Sequence, residues 1–388
     1  MPESVIYFDN AATSWPKPED TLKAMEHYFH CIGASPGRSG HRLAIDAGRE
    51  LVETRITLAR LFNISDPLRI VIAKNATEAL NFAVFGLLKP EDHVITSSME
   101  HNSVMRPLRE MASRGMQLSV IRCSAAGELD PKDIADAIQP NTRAIFLTHA
   151  SNVTGTIMPV AEVGTIAKEH GLVFCVDAAQ TAGTVPIDVS AMNIDLLAFT
   201  GHKSLCGPQG TGGLYIRKGL DKEISPLEMG GTGSRSEFEA QPDFMPDKYE
   251  SGTPNTIGIF GLGAGARSVL SRGVEHIRDS EMALTTMFID GLDAITGATV
   301  YGTRNSEQRI SVVSFTLTVK SPSDLALEFD EASNIMCRPG LHCAPSAHRT
   351  IGTFPEGTVR FAFGYYNTKD QVQTALNAID KIATATKR

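Results

Sequence analysis

The sequence predicts an α/β fold in which a mainly parallel sheet is covered by helices on both faces. Short runs rich in apolar and β-branched residues recur at 69–73, 93–97, 118–122, 144–148, 172–176, 194–199 and 213–216. Most of these runs are continuously hydrophobic rather than alternating, as in strands that are buried on both faces. Helical patterns lie between them at 47–62, 77–88, 103–114 and 160–170. Such alternation of strands and helices is typical of a parallel sheet.

The pattern changes after about residue 220, which indicates a second domain. A glycine-rich, irregular stretch covers 229–255. The elements predicted beyond it are helices at 257–271, 281–292 and 323–332, strands at 310–317 and 358–363, and a last helix from 369. Since one hydrophobic core rarely serves more than about 300 residues, the length of 388 residues also favours two domains. We predict a large domain at 15–255 and a small α+β domain formed by 1–14 and 256–388.

The charge and the composition exclude several function classes. The formal net charge is -8, with 44 acidic and 36 basic residues, which is no footprint for nucleic acid or for an anionic membrane. The first residues have neither a basic nor an apolar segment of the kind found in secretory signals. The six cysteines are sparse and lack Cys-x-x-Cys spacing, so a disulfide framework is not expected. We expect a cytoplasmic protein that binds neither nucleic acid nor membranes.

Two chemically reactive side chains follow neighbouring predicted strands. Asp177 comes directly after the run 172–176, and Lys203 comes shortly after the run 194–199. Ligands of open α/β sheets bind outside the carboxyl ends of strands. A carboxylate there can keep a pyridine nitrogen protonated, and a partly desolvated amine can form an imine. Each residue alone also fits an ordinary role, as a turn cap or a surface lysine, but together they favour a pyridoxal-phosphate (PLP) site.

Several ordered motifs resemble one enzyme family. Val-Asp-Ala-Ala-Gln at 176–180, Phe-Thr-Gly-His-Lys at 199–203 and Gly-Pro at 207–208 resemble the class V aminotransferase family of PLP fold type I, and within it the cysteine desulfurase and selenocysteine lyase branch. The resemblance extends from 7–13 to 366–368. It implies a large domain with a mainly parallel seven-stranded sheet between helices, and a smaller α+β domain.

Carried over position by position, the resemblance assigns the cofactor contacts. Lys203 would hold PLP as a Schiff base, Asp177 would pair with the pyridine nitrogen, and His101 would stack on the ring and help to move protons. The other implied contacts are Ala76, Thr77, Asn152, Gln180, Thr200 and His202. Thr232 lies in a stretch that, in the family, reaches the partner's phosphate, so the resemblance implies a homodimer. The family often has Gly-Thr-Thr where this chain has Asn-Ala-Thr at 75–77, so Ala76 can offer only its backbone.

Residues 337–345, Cys-Arg-Pro-Gly-Leu-His-Cys-Ala-Pro, resemble the loop that carries the nucleophilic cysteine in the desulfurases. Cys343 stands at the nucleophile position. A nearby cation or imidazole lowers a thiol pKa, and Arg338 and His342 are both candidates. One alternative is a buried, inert Cys343. Another is a zinc site made by Cys337, His342, Cys343 and His348, whose spacing fits no usual structural zinc pattern, so we expect no metal.

The resemblance also implies the substrate contacts. Arg360 occupies the position that binds the substrate carboxylate in a bidentate manner, although a salt bridge alone also fits it. Asn152 and Arg338 are further implied contacts. Arg38 and His41 fall on a loop that borders the active site in the family.

Taken together, these residues imply a PLP-dependent cysteine desulfurase that converts L-cysteine to L-alanine and receives the sulfur on Cys343 as a persulfide. Two alternatives stay open: a lyase for L-selenocysteine, and a class V transaminase or epimerase in which Cys343 is idle. The set of Lys203, Asp177, His101 and Arg360 argues against a non-catalytic sulfur-carrier scaffold, which needs none of them. Only four residues separate Arg338 from Cys343. This short loop resembles that of the group II members, which implies a separate sulfur-acceptor protein.

Overall fold

The computed structural model of the chain describes residues 5–37 and 39–385. Its strands are β1 (Ile6–Tyr7), β2 (Ile70–Ala73), β3 (His93–Ser97), β4 (Gln117–Ile121), β5 (Thr142–Thr148), β6 (Val173–Asp177), β7 (Leu196–Thr200), β8 (Gly212–Ile216), β9 (Ala298–Tyr301), β10 (Val312–Leu317), β11 (Ile335–Met336), β12 (Arg338–Gly340) and β13 (Thr358–Ala362). Its α-helices are α1 (Glu19–His27), α2 (Arg42–Leu61), α3 (Ala76–Leu87), α4 (Asn102–Ser113), α5 (Pro131–Asp136), α6 (Val160–Glu169), α7 (Thr256–Arg272), α8 (Val274–Asp293), α9 (Pro322–Ser333), α10 (Pro345–Thr350) and α11 (Lys369–Ala385). In these described ranges no helix is both long enough and apolar enough to cross a membrane.

The larger sheet has seven strands in the order β2-β8-β7-β6-β5-β3-β4. Its neighbours from β7 through β4 pair in parallel, and β8 is antiparallel to both β2 and β7. This confirms the predicted mainly parallel sheet, and each strand lies within two residues of a predicted run. All residues of β3, β6 and β7 are buried, which explains why the runs that form β6 and β7 are almost continuously hydrophobic.

A second, four-stranded sheet has the order β12-β13-β10-β9, and its pairs are antiparallel. A cluster of phenylalanine rings fills the core between this sheet and the helices that cover it. The rings of Phe288 in α8 and Phe361 in β13 stack with their centroids 5.0 Å apart, and Phe315 in β10 meets Phe361 edge-on. Offset and edge-on contacts of this kind stabilise an aromatic core beyond its burial alone.

The N-terminal segment packs against elements from the C-terminal part of the chain. β1 pairs in parallel with β11, and Asp9 forms an isolated bridge with Ala362, the last residue of β13. Helix α7 packs along α1 and α2. The predicted domain boundary between residues 255 and 256 stays a prediction.

Two helices begin at the edge of the large sheet where its parallel strands end. Asn75 caps α3, and its side-chain oxygen accepts a hydrogen bond from the backbone N–H of Glu78 at 2.9 Å. His101 caps α4 in the same manner, soon after β3 ends. The N-termini of α3 and α4 therefore lie beside Asp177, the last residue of β6, and Lys203, which follows β7.

Candidate active site

One cleft of about 220 Å³ lies where the carboxyl ends of the large sheet meet the four-stranded sheet. Most of the site residues predicted from the sequence line it together: Ala76, Thr77, His101, Asn152, Asp177, Gln180, Thr200, His202, Lys203, Arg338 and Arg360. These side chains come from chain positions up to 284 residues apart (360 minus 76). The cleft is therefore assembled by the tertiary fold.

Burial shifts the pKa values of Asp177 and Lys203 toward their neutral forms. Asp177 is the last residue of β6, and one of its oxygens accepts the backbone N–H of Ala179 at 2.9 Å. Burial raises the pKa of Asp177, so a cation bound beside this carboxyl group would stabilise its charged form. Burial lowers the pKa of Lys203 to about 8, although the nearby Asp177 acts in the opposite direction. A substantial fraction of the Lys203 amine is thus neutral and nucleophilic near physiological pH.

One end of the cleft is suited to an anion. It contains the N-terminus of α3, where backbone N–H groups and the helix dipole favour negative charge. The Oγ1 atom of Thr200 and the Nδ1 atom of His202 are buried there and find no hydrogen-bond partner within the described part of the chain. Burial lowers the pKa of His202 to about 4, so its ring is neutral. Two unsatisfied polar atoms beside a helix N-terminus fit a phosphate group.

His101 is held in one orientation and one tautomer. Its Nδ1 atom accepts the backbone N–H of Ser103 at 3.1 Å and lies 2.6 Å from the Ser103 hydroxyl. Burial and, to a smaller degree, the charge on Lys203 lower the pKa of His101 to about 4. The ring is therefore neutral, and its proton resides on Nε2. Ser103 also lines the cleft, and sequence reasoning missed it; its place two residues after the capping histidine was the available signal.

Arg360 lies in the middle of β13 and is fully buried. Its Nη2 atom donates to Asp9 at 2.8 Å, and its Nη1 atom donates to the backbone carbonyl of Asn152 at 3.1 Å. Its Nε atom has no hydrogen-bond partner among the described residues. Sequence reasoning assigned no role to Asp9, because an ion pair between residues 351 positions apart leaves no local signal.

Cys343 lies at the surface next to the cleft rather than in its wall. Its backbone carbonyl accepts the N–H of Asn102, the first residue of α4, at 2.8 Å. The Nη2 atom of Arg338 lies 3.4 Å from its sulfur. Since Arg338 also lines the cleft, this arginine connects the cleft to the thiol.

Of the two candidate cations for Cys343, the structure places only Arg338 at the sulfur. His342 is buried, and its Nε2 atom lies 3.0 Å from the carbonyl oxygen of Arg338. Its Nδ1 atom lies 3.3 Å from Nε2 of His348. Burial holds the pKa of His342 well below its usual range, so this ring is neutral. No group of three or more His, Cys, Asp or Glu side chains that could hold a metal occurs within 5–37 and 39–385.

Besides Cys343, two predicted residues of the described chain lie outside the cleft described above. Thr232 lines a separate cleft of about 420 Å³, together with Lys74 and Tyr249. His41 caps α2, where its Nδ1 atom accepts the N–H of Ala44 at 3.3 Å, and it is exposed. Arg38 lies outside the described residues.

Comparison with known proteins relates the whole chain to one family. Residues 6–375 match the family model described as "Aminotransferase class-V". A probable cysteine desulfurase of Methanothermobacter thermautotrophicus is 35% identical over 97% of this chain and 94% of its own length. One from Pyrococcus abyssi is 35% identical over 98% and 95%. Among solved structures, the apo cysteine desulfurase of Thermococcus onnurineus NA1 has a TM-score of 0.93 at 35% identity, covering 98% of this chain and 95% of the other. The cysteine desulfurase CsdA of Escherichia coli has a TM-score of 0.87 at 29% identity, with the same coverage.

Proposed function

This chain belongs to the class V aminotransferase family, and we propose that it acts as a PLP-dependent cysteine desulfurase. In the proposed reaction L-cysteine becomes L-alanine, and its sulfur passes to Cys343. One observation carries the proposal. Arg338 lines the cleft that contains Lys203 and Asp177, and the same guanidinium contacts the sulfur of Cys343. An arrangement that links a reactive amine to a surface thiol suits sulfur removal, whereas transamination needs no thiol.

The residues of the cleft fit PLP in three places. Thr200, His202 and the N-terminus of α3 would receive the phosphate, because Oγ1 of Thr200 and Nδ1 of His202 have no hydrogen-bond partner in the described part of the chain and the helix N-terminus favours an anion. The buried carboxylate of Asp177 would pair with the protonated ring nitrogen. Lys203 would provide the covalent attachment. Bound in this way, the cofactor supplies an electron sink for negative charge on the substrate α-carbon.

Arg360 and Asn152 would position the substrate. Arg360 keeps a buried Nε donor that is unsatisfied in the described part of the chain, and a guanidinium is the group best suited to a carboxylate. The Asn152 side chain donates to the carbonyl of His342 at 2.7 Å, and its backbone carbonyl accepts from Arg360. Asn152 therefore holds the substrate-binding arginine and the Cys343 loop at a fixed separation.

Lys203 and His101 would move the protons. A lysine whose pKa is lowered to about 8 can take the α-proton of the substrate as a neutral amine and can later return a proton. The neutral ring of His101 presents its Nε2–H as a hydrogen-bond donor, and Ser103 keeps it in that tautomer. His101 therefore suits a donor role, and Lys203 suits the role of base.

Cys343 would take the sulfur. Its thiolate attacks the sulfur of the bound substrate, an S–S bond forms, and the carbon–sulfur bond breaks with its electron pair remaining on the carbon. Two protons then complete L-alanine, so that L-cysteine and one thiol yield L-alanine and one persulfide. The Arg338 guanidinium, 3.4 Å from the sulfur, is placed to orient the thiolate during the attack.

We also propose that the protein is a homodimer whose sites are completed across the interface. Thr232 lies away from the cleft of its own chain, which is what a residue that serves the partner's phosphate requires. Two large apolar side chains of the same segment, Met229 and Phe238, are exposed, and burial in an interface would account for them.

A separate acceptor protein would complete the cycle. The thiol of Cys343 is exposed, so an acceptor thiol can reach the outer sulfur of the persulfide. That thiol attacks the outer sulfur, the S–S bond to Cys343 breaks, and the products are the acceptor persulfide and a regenerated Cys343 thiol. The rate of this step would depend on the acceptor, because the loop itself is short and held by hydrogen bonds from Asn102 and Asn152.

The proposal is tested with the purified, PLP-loaded protein and L-cysteine in the presence of dithiothreitol. We expect alanine and sulfide in a 1:1 ratio. A parallel reaction with L-selenocysteine measures the preference between the two substrates. Amino-group transfer to an added 2-oxo acid, without release of sulfide, would instead identify a transaminase and contradict the proposal.

A further inference from the structure

Three polar side chains form a line below the loop that carries Cys343. The Oγ1 atom of Thr353 lies 2.7 Å from Nδ1 of His348, and Nε2 of His348 lies 3.3 Å from Nδ1 of His342. Nε2 of His342 lies 3.0 Å from the carbonyl oxygen of Arg338. All three side chains are buried, and none contacts the sulfur of Cys343. We call Thr353, His348 and His342 the histidine line.

The direction of these hydrogen bonds follows from the acceptor at the end. A carbonyl oxygen only accepts, so Nε2 of His342 carries the proton that is donated to Arg338. His342 is neutral, because burial holds its pKa well below the usual range. Its Nδ1 atom therefore has no proton and accepts from Nε2 of His348.

The same reasoning continues outward. His348 is also neutral, since burial lowers its pKa to about 4. Because its Nε2 atom donates to His342, its Nδ1 atom must accept, and the hydroxyl of Thr353 is the donor. Every hydrogen bond of the line thus points toward Arg338, and each ring has a single tautomer.

The end of the line is the residue that orients the thiol. The backbone of Arg338 is held by His342, and its guanidinium contacts the sulfur of Cys343. The loop also needs support, because His342 and Cys343 have φ angles of 49° and 59°, a region that non-glycine residues rarely adopt. Such a conformation persists only where surrounding contacts enforce it.

We propose that His348 is a positioning residue for Cys343, which acts by fixing the tautomer of His342 and, through it, the placement of Arg338 against the sulfur. This inference rests on the proposed function, in which Cys343 is the sulfur nucleophile. His348 does not line the cleft and does not touch Cys343, so it is not a catalytic residue. Thr353 supports it from the outer end of the line.

Two substitutions of His348 separate a hydrogen-bonding role from mere packing. His348→Leu keeps comparable bulk but removes the donor to His342, whereas His348→Gln keeps an amide N–H that can reach it. Thr353→Val removes only the hydroxyl that donates to Nδ1 of His348, and it replaces His348→Leu as the test variant if that variant does not fold. Thr350→Val is the matched control, because Thr350 lies on the same helix and its hydroxyl contacts Ser98 and the carbonyl of Ser346 instead.

The first readout is the rate at which iodoacetamide alkylates Cys343, followed by mass spectrometry of its peptide in the PLP-loaded protein without L-cysteine. We expect His348→Leu to slow alkylation and to lower kcat by about five- to tenfold, the range for one lost hydrogen bond, with KM for L-cysteine unchanged. His348→Gln should recover most of the loss, Thr353→Val should show a smaller decrease, and Thr350→Val should behave as wild type.

If Cys343 of His348→Leu is alkylated at the wild-type rate, the proposal is overturned. Thr353→Val gives the same test if His348→Leu does not fold. Equal losses in His348→Leu and His348→Gln would assign His348 to packing and would also overturn it. Failure of the wild-type protein to form alanine would overturn the proposed function instead, while the alkylation rates would still decide the role of His348.

Discussion

The guanidinium of Arg338 and the sulfur of Cys343 lie 3.4 Å apart, and four residues separate them in the chain. Arg338 is the first residue of β12, in the four-stranded sheet. Cys343 lies in the loop that follows, and its backbone carbonyl accepts a hydrogen bond from the N–H of Asn102, the first residue of α4, which packs beside the large sheet. The thiol is thus positioned by both parts of the molecule.

Arg338→Ala should lower the rate of alanine formation by about ten- to a hundredfold, because a hydrogen bond to a charged group contributes more than a neutral one. Alkylation of Cys343 should slow in parallel, which ties the loss to the thiol. The control is Arg349→Ala, which removes an exposed arginine of α10 that stacks on Phe354 and does not touch the sulfur. An Arg338→Ala variant with wild-type alkylation and turnover would show that the contact is incidental.

Cys343→Ser should bind PLP with an unchanged absorption spectrum and yet release at least about a hundredfold less sulfide from L-cysteine. The reason is spatial, since the cofactor contacts line the cleft and Cys343 lies outside it. Cys31→Ser is the matched control, because Cys31 is also exposed but lies far from this loop in the sequence. Undiminished sulfide from Cys343→Ser would refute the nucleophile role.

Covalent attachment of PLP to the apoprotein should depend on pH through Lys203. The neutral amine is the reactive form, and the pKa of Lys203 is lowered to about 8. The attachment rate should therefore rise about tenfold per pH unit below 8 and level off above it. Stopped-flow absorbance measures the rate, and borohydride reduction followed by peptide mapping identifies the lysine.

Lys203→Ala should show no reducible adduct, whereas Lys132→Ala, which alters an exposed lysine of α5, should behave as wild type. Adduct formation on another lysine in the wild-type protein would show that the assignment of Lys203 is wrong.

A charge placed in the proposed interface should weaken the dimer. Phe238 is 63% exposed in the single chain, so Phe238→Glu should raise the dimer dissociation constant by at least about tenfold in sedimentation experiments. Activity should fall at the protein concentrations where the dimer dissociates. Leu327→Glu is the control, since Leu327 is similarly exposed but lies on α9. A fully active monomer would contradict the sharing of sites.

Rapid mixing with L-cysteine in the absence of reductant should show a burst of about one alanine per site, followed by a slow phase. The slow phase reflects persulfide discharge, because hydrogen bonds from Asn102 and Asn152 restrain the loop of Cys343. Added thiols should accelerate the slow phase and leave the burst unchanged. A linear time course that thiols do not affect would exclude discharge as the slow step.

Local sequence patterns were sufficient for the large sheet and for the edge at which the site lies. The runs that form β6 and β7 are continuously hydrophobic because both faces of these strands are buried. Since parallel strands end at one edge, the same runs predicted that Asp177 and Lys203 would meet there, as they do. The resemblance of the motifs to a known family added most of the other predicted residues that line the cleft, but not Ser103.

The sequence by itself therefore determined the α/β class, the mainly parallel sheet and the location of Asp177 and Lys203 at its edge. Only the tertiary structure decided that Asp9 pairs with Arg360, and that Arg338 rather than His342 faces the sulfur of Cys343. The physical reason is the distance along the sequence over which each feature is encoded. Periodicity and strand direction are local properties, which neighbouring residues encode. A contact between residues 351 positions apart, or the outward turn of a loop with positive φ, depends on how separate layers pack.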